Sequence, residues 1–147
     1  MEFLTEIHTQ SGLYKVVDPG YNLDVKRFLF LDDNKDRHDG FDIHCIGLPV
    51  TVTHVWTADQ AIETLKAEEP FDTVWLDHDL ENTDPNFSGA CVAEFIAFHI
   101  DKAKTPKHVV VHSHNPCGAI TMMDMLHAAG ISCSRVEFRA PQSVRSF

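Results

Sequence analysis

Three apolar runs in this chain each end in a cluster of polar side chains capable of chemistry: FLFLDD at 28–33, TVWLDHDL at 73–80 and HVVVHSHNP at 108–116. Short apolar runs of this kind, bounded by turn formers, read as buried strands. As neighbouring parallel strands they bring Asp32, Asp33, Asp77, His78, Asp79, His112, His114 and Asn115 to one edge of one sheet. Open α/β sheets bind their ligands at that edge.

The segments between the runs supply the helices such a sheet needs. Thr51–Trp56 is rich in β-branched residues, and Thr57 with Gln60 forms a capping box ahead of Ala58, Ala61, Ile62 and Leu65 at helical spacing. Ser88 caps a second helix carrying Cys91, Val92, Phe95, Ile96 and His99 on one face. Asn115 and Pro116 are a preferred cap and first-turn pair for a third helix, which runs to Ala129 and stops at Gly130. Residues 34–49 are charged and broken by Gly40, Gly47 and Pro49, so a loop with a short or irregular helix is expected there. Residues 78–88 read as a polar loop leaving the sheet edge, and Ile131–Phe138 as a last strand.

Strand–helix alternation over 147 residues predicts a single doubly wound α/β domain: five parallel strands with helices on both faces. That domain spans 27–147. Residues 1–26 form an N-terminal extension in which Gly12, Pro19, Gly20 and YKVV suggest an extra strand or hairpin.

Composition narrows the function classes. With 22 acidic and 12 basic residues the net charge is −10, and no window gathers a basic stripe, which argues against coating duplex DNA. A small anionic ligand or an RNA end remains compatible, because a metal or a few aimed donors reverse the local potential. No apolar run approaches the ~20 residues of a membrane span, and the N-terminus MEFLTEIHTQ lacks a secretory pattern, so a soluble cytoplasmic protein is expected. Cys45, Cys91, Cys117 and Cys133 form no CxxC pair and read as buried free thiols.

Each candidate residue also has a plain structural reading. Asp32 or Asp33 alone fits a helix cap, although both as caps beside a third strand-end Asp fits less well. Alternation lets Asp77 and Asp79 converge while His78 points to the core or a helix, and it gives His112 and His114 a shared direction with Ser113 opposed, as long as the strand continues. Asn115 is a helix cap first. His54, His99 and His127 read as packing or surface residues, and Met122, Met123 and Met125 as core or helix surface.

The Asp pair after the first run, the Asp after the middle one and a basic residue after the last strand resemble the receiver domain of response regulators. That resemblance implies a Mg²⁺ held by the acidic pair and a phosphoryl group accepted by the third Asp, placing Asp32, Asp33 and Asp77 in those roles. Arg139, followed by Ala140–Pro141, stands where receivers have Lys-Pro, and Arg does not copy a Lys contact. LDHDL adds a His and an Asp, and HSHNP replaces the hydroxyl switch with imidazoles and an amide. Together LDD, LDHDL and HSHNP are similar to an offshoot, the cyclic-phosphate processing receiver domain, over roughly residues 27–138. This implies processing of a cyclic phosphate in nucleotide signalling or RNA-end repair.

The residues suit that chemistry. Ring opening needs an aimed water, neutralised nonbridging oxygens and an acid for the leaving alkoxide. A divalent metal on Asp32, Asp33 and Asp77 serves the first two needs, and His112, His114, His78 or Asp79 the third, since an unperturbed imidazole titrates near about 6.5. Asn115, Ser113 and Arg139 are candidates for holding the substrate. Carboxylates alone favour Mg²⁺ or Mn²⁺, and a recruited imidazole favours Mn²⁺, Zn²⁺ or Fe²⁺. Three functions stay open: a metal-assisted hydrolase acting on a cyclic nucleotide or cyclic-phosphate-ended RNA, a stand-alone receiver phosphorylated on Asp77, and a non-catalytic nucleotide-binding protein. A receiver-like surface is also compatible with a homodimer.

Overall fold

The computed structural model describes residues 4–9, 12–17, 24–80 and 88–137. In chain order the elements are β1 (Leu4–Thr9), β2 (Gly12–Val17), β3 (Lys26–Leu31), α1 (Lys35–Cys45), β4 (Val50–Val55), α2 (Ala58–Ala67), β5 (Thr73–Leu76), α3 (Gly89–Phe98), a 3₁₀ turn (Lys102–Lys104), β6 (His108–His112), α4 (Pro116–Ala128) and β7 (Cys133–Val136). β1 and β2 pair as an antiparallel hairpin. The other five strands form one parallel sheet in the order β4-β3-β5-β6-β7. The strand order reverses between β3 and β5, and the crevice at such a point is where doubly wound sheets bind ligands.

Alternation along β3 divides the core. Leu29 and Leu31 join Val74, Leu76, Val109 and Val111 against α2, α3 and α4. Phe28, Phe30 and Trp75 face the opposite way and pack with Phe41 and Cys45 of α1, where Phe30 stacks on Phe41 at 4.3 Å between ring centroids.

The caps form as the sequence predicts. Thr57 accepts the Gln60 N–H, while the Gln60 side chain accepts the N–H of Trp56 rather than that of Thr57. Ser88 accepts the Ala90 N–H, Asn115 accepts the Gly118 N–H, and Gly130 takes a positive φ of 77° after α4.

Residues 34–49 depart from expectation. Instead of an irregular stretch, α1 is an eleven-residue helix capped by Asn34, whose side chain accepts the Arg37 N–H. Its inward positions include His38, Gly40 and Asp42, so the apolar period that marks most helices is absent from the sequence. The cysteines also differ in part: all four are free, but only Cys45 is buried and Cys117 is exposed. Residues 81–87, Phe138 and Arg139–Pro141 lie outside the described residues. No described helix is long and apolar enough to cross a membrane.

Candidate active site at the carboxyl edge of the sheet

Strand phase selects which polar residues meet. Asp32 continues the α1-facing row of Phe28 and Phe30, and Asp77 continues that of Trp75. His112 closes β6 on the same side and lies flat on Phe30, with ring centroids 4.8 Å apart and 4° between planes. Asp32, Asp77 and His112 are all buried, and they offer ligand atoms within 4.8 Å of one another. These three residues form the floor of the site. Asp33, on the opposite phase, is not part of that cluster, although its carboxylate lies 3.7 Å from the Arg37 guanidinium.

Arg37 is the residue that sequence reasoning missed most plainly. The Asn34 cap puts it in the first turn of α1, from where it folds back over the floor. Its Nε donates to Asp32 Oδ2 at 2.7 Å, and its Nη2 lies 3.5 Å from Asp77 Oδ2. Asp32 Oδ1 meanwhile accepts the Asn34 N–H at 2.8 Å. The one available signal was positional, an Arg three residues after a cap that directly follows an Asp pair.

Burial dominates the electrostatics of the floor. It raises the Asp77 carboxyl to about 8, with the neighbouring Asp32 charge acting in the same direction. Asp32 is also raised by burial, against the opposing pull of Arg37. His112 is drawn down to about 3, first by burial and then by the Arg37 charge. At neutral pH that imidazole is in its neutral form, one ring nitrogen bearing a hydrogen and the other a lone pair, which suits coordination.

The floor fits a divalent cation. Among the described residues, Asp77 Oδ2 is buried and accepts no hydrogen bond, with only the Arg37 guanidinium 3.5 Å away, so it is left under-satisfied. Two carboxylates and a neutral imidazole are a donor set for a transition metal at least as well as for Mg²⁺.

A second group forms the rim. His78 is on the other strand phase and points to α4, as the sequence allowed: a Cβ on Gly118 would come 2.5 Å from His78 Cγ. His78 Nδ1 meets Asp79 Oδ1 at 2.7 Å, and this contact is the main reason the Asp79 carboxyl is lowered. Asn115 Nδ2 also donates to Asp79 Oδ1, at 3.3 Å. Asp79 is thus tied to His78 and the α4 cap instead of converging with Asp77 on the floor. Gly89 holds floor and rim together: its N–H donates to the His78 carbonyl, and an added Cβ would fall 1.8 Å from the Asp77 carbonyl oxygen.

His112 and His114 do not share an environment, because β6 ends at His112 and the alternation ends with it; His114 is exposed. The buried Ser113 hydroxyl accepts the Asn115 N–H, so it builds the β6–α4 turn, and Arg135 of β7 donates to the Ser113 carbonyl from beneath. At the start of α4, Pro116 has no N–H and the Gly118 N–H is taken by Asn115, so two of the first three helical positions offer an anion nothing.

Behind the floor runs a polar chain that the sequence did not reveal. Asp42 meets His54 at 2.8 Å, His54 meets His38 at 2.6 Å, and His38 Nε2 donates to the Asp32 carbonyl at 2.8 Å. Trp56 stacks on His38 with centroids 3.7 Å apart. Burial lowers His38 to about 4, so it is a neutral prop for the Asp32 backbone. His54 is buried as a packing residue would be, but its partners are polar.

The fold is that of receiver domains. The receiver domain of a putative LuxO repressor from Vibrio parahaemolyticus aligns at a TM-score of 0.59 with 18% identity, over 82% of this chain and 85% of that one. A CheY-like receiver domain from Methylobacillus flagellatus gives 0.59 and 16%, over 80% and 89%. The receiver domain of a sensor histidine kinase from Pseudomonas aeruginosa, solved with a magnesium ion coordinated in its active-site cleft, gives 0.58 and 14%, over 82% and 92%. Residues 27–128 match the cyclic-phosphate processing receiver domain, and this chain belongs to that family. No curated protein of similar sequence was found.

Proposed function

We propose that this protein processes a cyclic phosphate, either a cyclic nucleotide or a cyclic-phosphate-ended RNA, by metal-assisted hydrolysis at the carboxyl edge of its sheet. The observation that carries this reading is the buried imidazole His112 joined to Asp32 and Asp77 in one cluster. Those three residues would hold a divalent metal, Mn²⁺ or Zn²⁺ in preference to Mg²⁺, and Asp33 stands beside them. When bound, such a metal neutralises nonbridging oxygens and lowers the pKa of a water ligand.

The rim supplies the proton chemistry. Asp79 orients His78 through Nδ1, which leaves Nε2 to give a proton to the leaving alkoxide. His78 keeps partial exposure, with 21% of its side-chain surface open. His114 is an exposed imidazole at the mouth of the same edge and serves phosphate binding; Asn115 serves by fixing Asp79. Water adds to phosphorus and loses a proton to solvent, one ring P–O bond breaks, and the alkoxide takes the His78 proton, which solvent then restores.

The test is hydrolysis of 2′,3′-cyclic and 3′,5′-cyclic nucleotides, cyclic oligonucleotides and cyclic-phosphate-ended RNA with Mg²⁺, Mn²⁺ or Zn²⁺. Metal-dependent turnover of one class is expected. Absence of turnover on all of them with metal bound contradicts the proposal, and tight binding with intact ligand recovered selects a non-catalytic binding protein. A second reading, a receiver phosphorylated on Asp77, is favoured by the position of that residue just beyond the end of β5 in a receiver fold. It predicts that acetyl phosphate or beryllofluoride alters the oligomeric state of wild type but not of Asp77→Asn.

A further inference from the structure

The floor of the site already contains a cation, and its placement has a consequence for how the site is used. Both oxygens of Asp32 are committed: Oδ1 accepts the Asn34 N–H at 2.8 Å, and Oδ2 accepts Arg37 Nε at 2.7 Å. Oδ2 is also the oxygen that faces His112, 3.4 Å from its Nδ1. A divalent ion shared by Asp32, Asp77 and His112 therefore competes with Arg37 at Oδ2. The same ion approaches Asp77 Oδ2, which lies 3.5 Å from Arg37 Nη2. An ion on that oxygen and the guanidinium beside it would be close like charges, which repel strongly in a poorly solvated site.

Arg37 has somewhere to go. Its side chain keeps 26% of its surface exposed and lies 3.7 Å from the more exposed Asp33. Among the described residues, the start of α4 offers an anion little, since Pro116 has no N–H and Asn115 has taken the Gly118 N–H. A guanidinium fork matches two nonbridging phosphate oxygens, which an ammonium does not.

We propose that Arg37 is an exchangeable counter-ion: it holds Asp32 and Asp77 in the metal-free protein, yields them to the metal, and then binds the substrate phosphate. This rests on the reading of Asp32, Asp77 and His112 as a metal floor. Arg37 thereby opposes metal binding while making the metal-loaded site receptive to phosphate.

The test is a calorimetric titration of wild type, Arg37→Gln and Arg37→Lys with Mn²⁺ alone, then with inorganic phosphate at saturating Mn²⁺. Arg37→Gln is expected to bind Mn²⁺ about tenfold tighter or more, in keeping with removal of a nearby like charge, and to bind phosphate at least several-fold more weakly. Arg37→Lys keeps a charge over the carboxylates and is expected to fall between the two in Mn²⁺ affinity. Equal or weaker Mn²⁺ binding by Arg37→Gln overturns the exchange, and unchanged phosphate binding overturns the phosphate role. In case Arg37→Gln does not fold without metal, the wild-type Arg37 Nε–H resonance gives an independent readout. Protection from solvent exchange that is lost on adding Zn²⁺ supports the exchange, and protection that persists at saturating Zn²⁺ overturns it. No metal bound by any variant contradicts the metal reading itself, whereas Mn²⁺ bound equally by all three defeats only the role given to Arg37.

Discussion

The floor and the rim of this site are built from the same few strand ends, yet they differ in almost every physical respect. Asp32, Asp77 and His112 are buried, and their ionisation is displaced by that burial: two carboxyls are raised and one imidazole is drawn down to about 3. His78, Asp79 and Asn115 are open to solvent and bonded to one another, and the carboxyl among them is lowered. A metal would draw on the buried donors, displacing the proton that burial leaves on Asp77, whereas proton transfer calls for a solvent-reached His–Asp pair such as His78 and Asp79. Strand phase, more than residue type, sets these environments, since His112 and His78 are chemically identical side chains on opposite faces.

The widest separation of the two halves is expected from Asp77→Ala. It removes a floor carboxylate, so Mn²⁺ binding measured by calorimetry should become undetectable and turnover should fall to background. Next in size is His78→Ala, which should cost on the order of 10²–10⁴ in kcat, the usual worth of a general acid, with Mn²⁺ affinity unchanged. Loss of metal affinity in His78→Ala would break the division. Gly118→Ala should mimic it in part, because the new methyl has to displace the His78 ring.

The pH dependence of stability gives a smaller signal that isolates the floor. Asp77 is raised to about 8 in the folded chain, against about 3.9 when unfolded. The folded state thus holds a proton that the unfolded chain has released, and this contribution to stability is lost as pH rises through about 8. His38 and His112 act in the opposite sense, being lowered to about 4 and about 3, but only below their unfolded value of about 6.5. The metal-free protein should therefore melt at lower temperature at pH 8.5 than at pH 6.5, and Asp77→Asn should flatten that slope. The smallest effect is expected from Asn115→Ala, which loses a helix cap worth about 1 kcal/mol and leaves the floor untouched; thermal melting and Mn²⁺ titration check both halves of that statement.

The parts of this fold that were legible in the sequence are those where local signals agree. The three strand ends, the caps at Thr57, Ser88 and Asn115, and the stop at Gly130 each combine an apolar period with a residue of defined local geometry. Helix α1 was not legible because His38 and Asp42, both buried, occupy positions where a leucine would have revealed the period. Arg37 reads as one more solvated charge in NKDRHD, and only the Asn34 cap turns it inward. The chain Asp42–His54–His38 joins α1 to β4 across a distance that sequence spacing does not encode. His112 and His114 looked equivalent because the end of β6 falls between them, and element ends are where periodicity stops carrying information.

Anomalous diffraction from a crystal soaked in Mn²⁺ tests the separation of floor from rim most directly. A single ion is expected with Asp32, Asp77 and the His112 ring at about 2.0–2.6 Å, and His78 and Asp79 left in their mutual hydrogen bond. An ion held by carboxylates without His112, or one coordinated by His78 or Asp79, would contradict it.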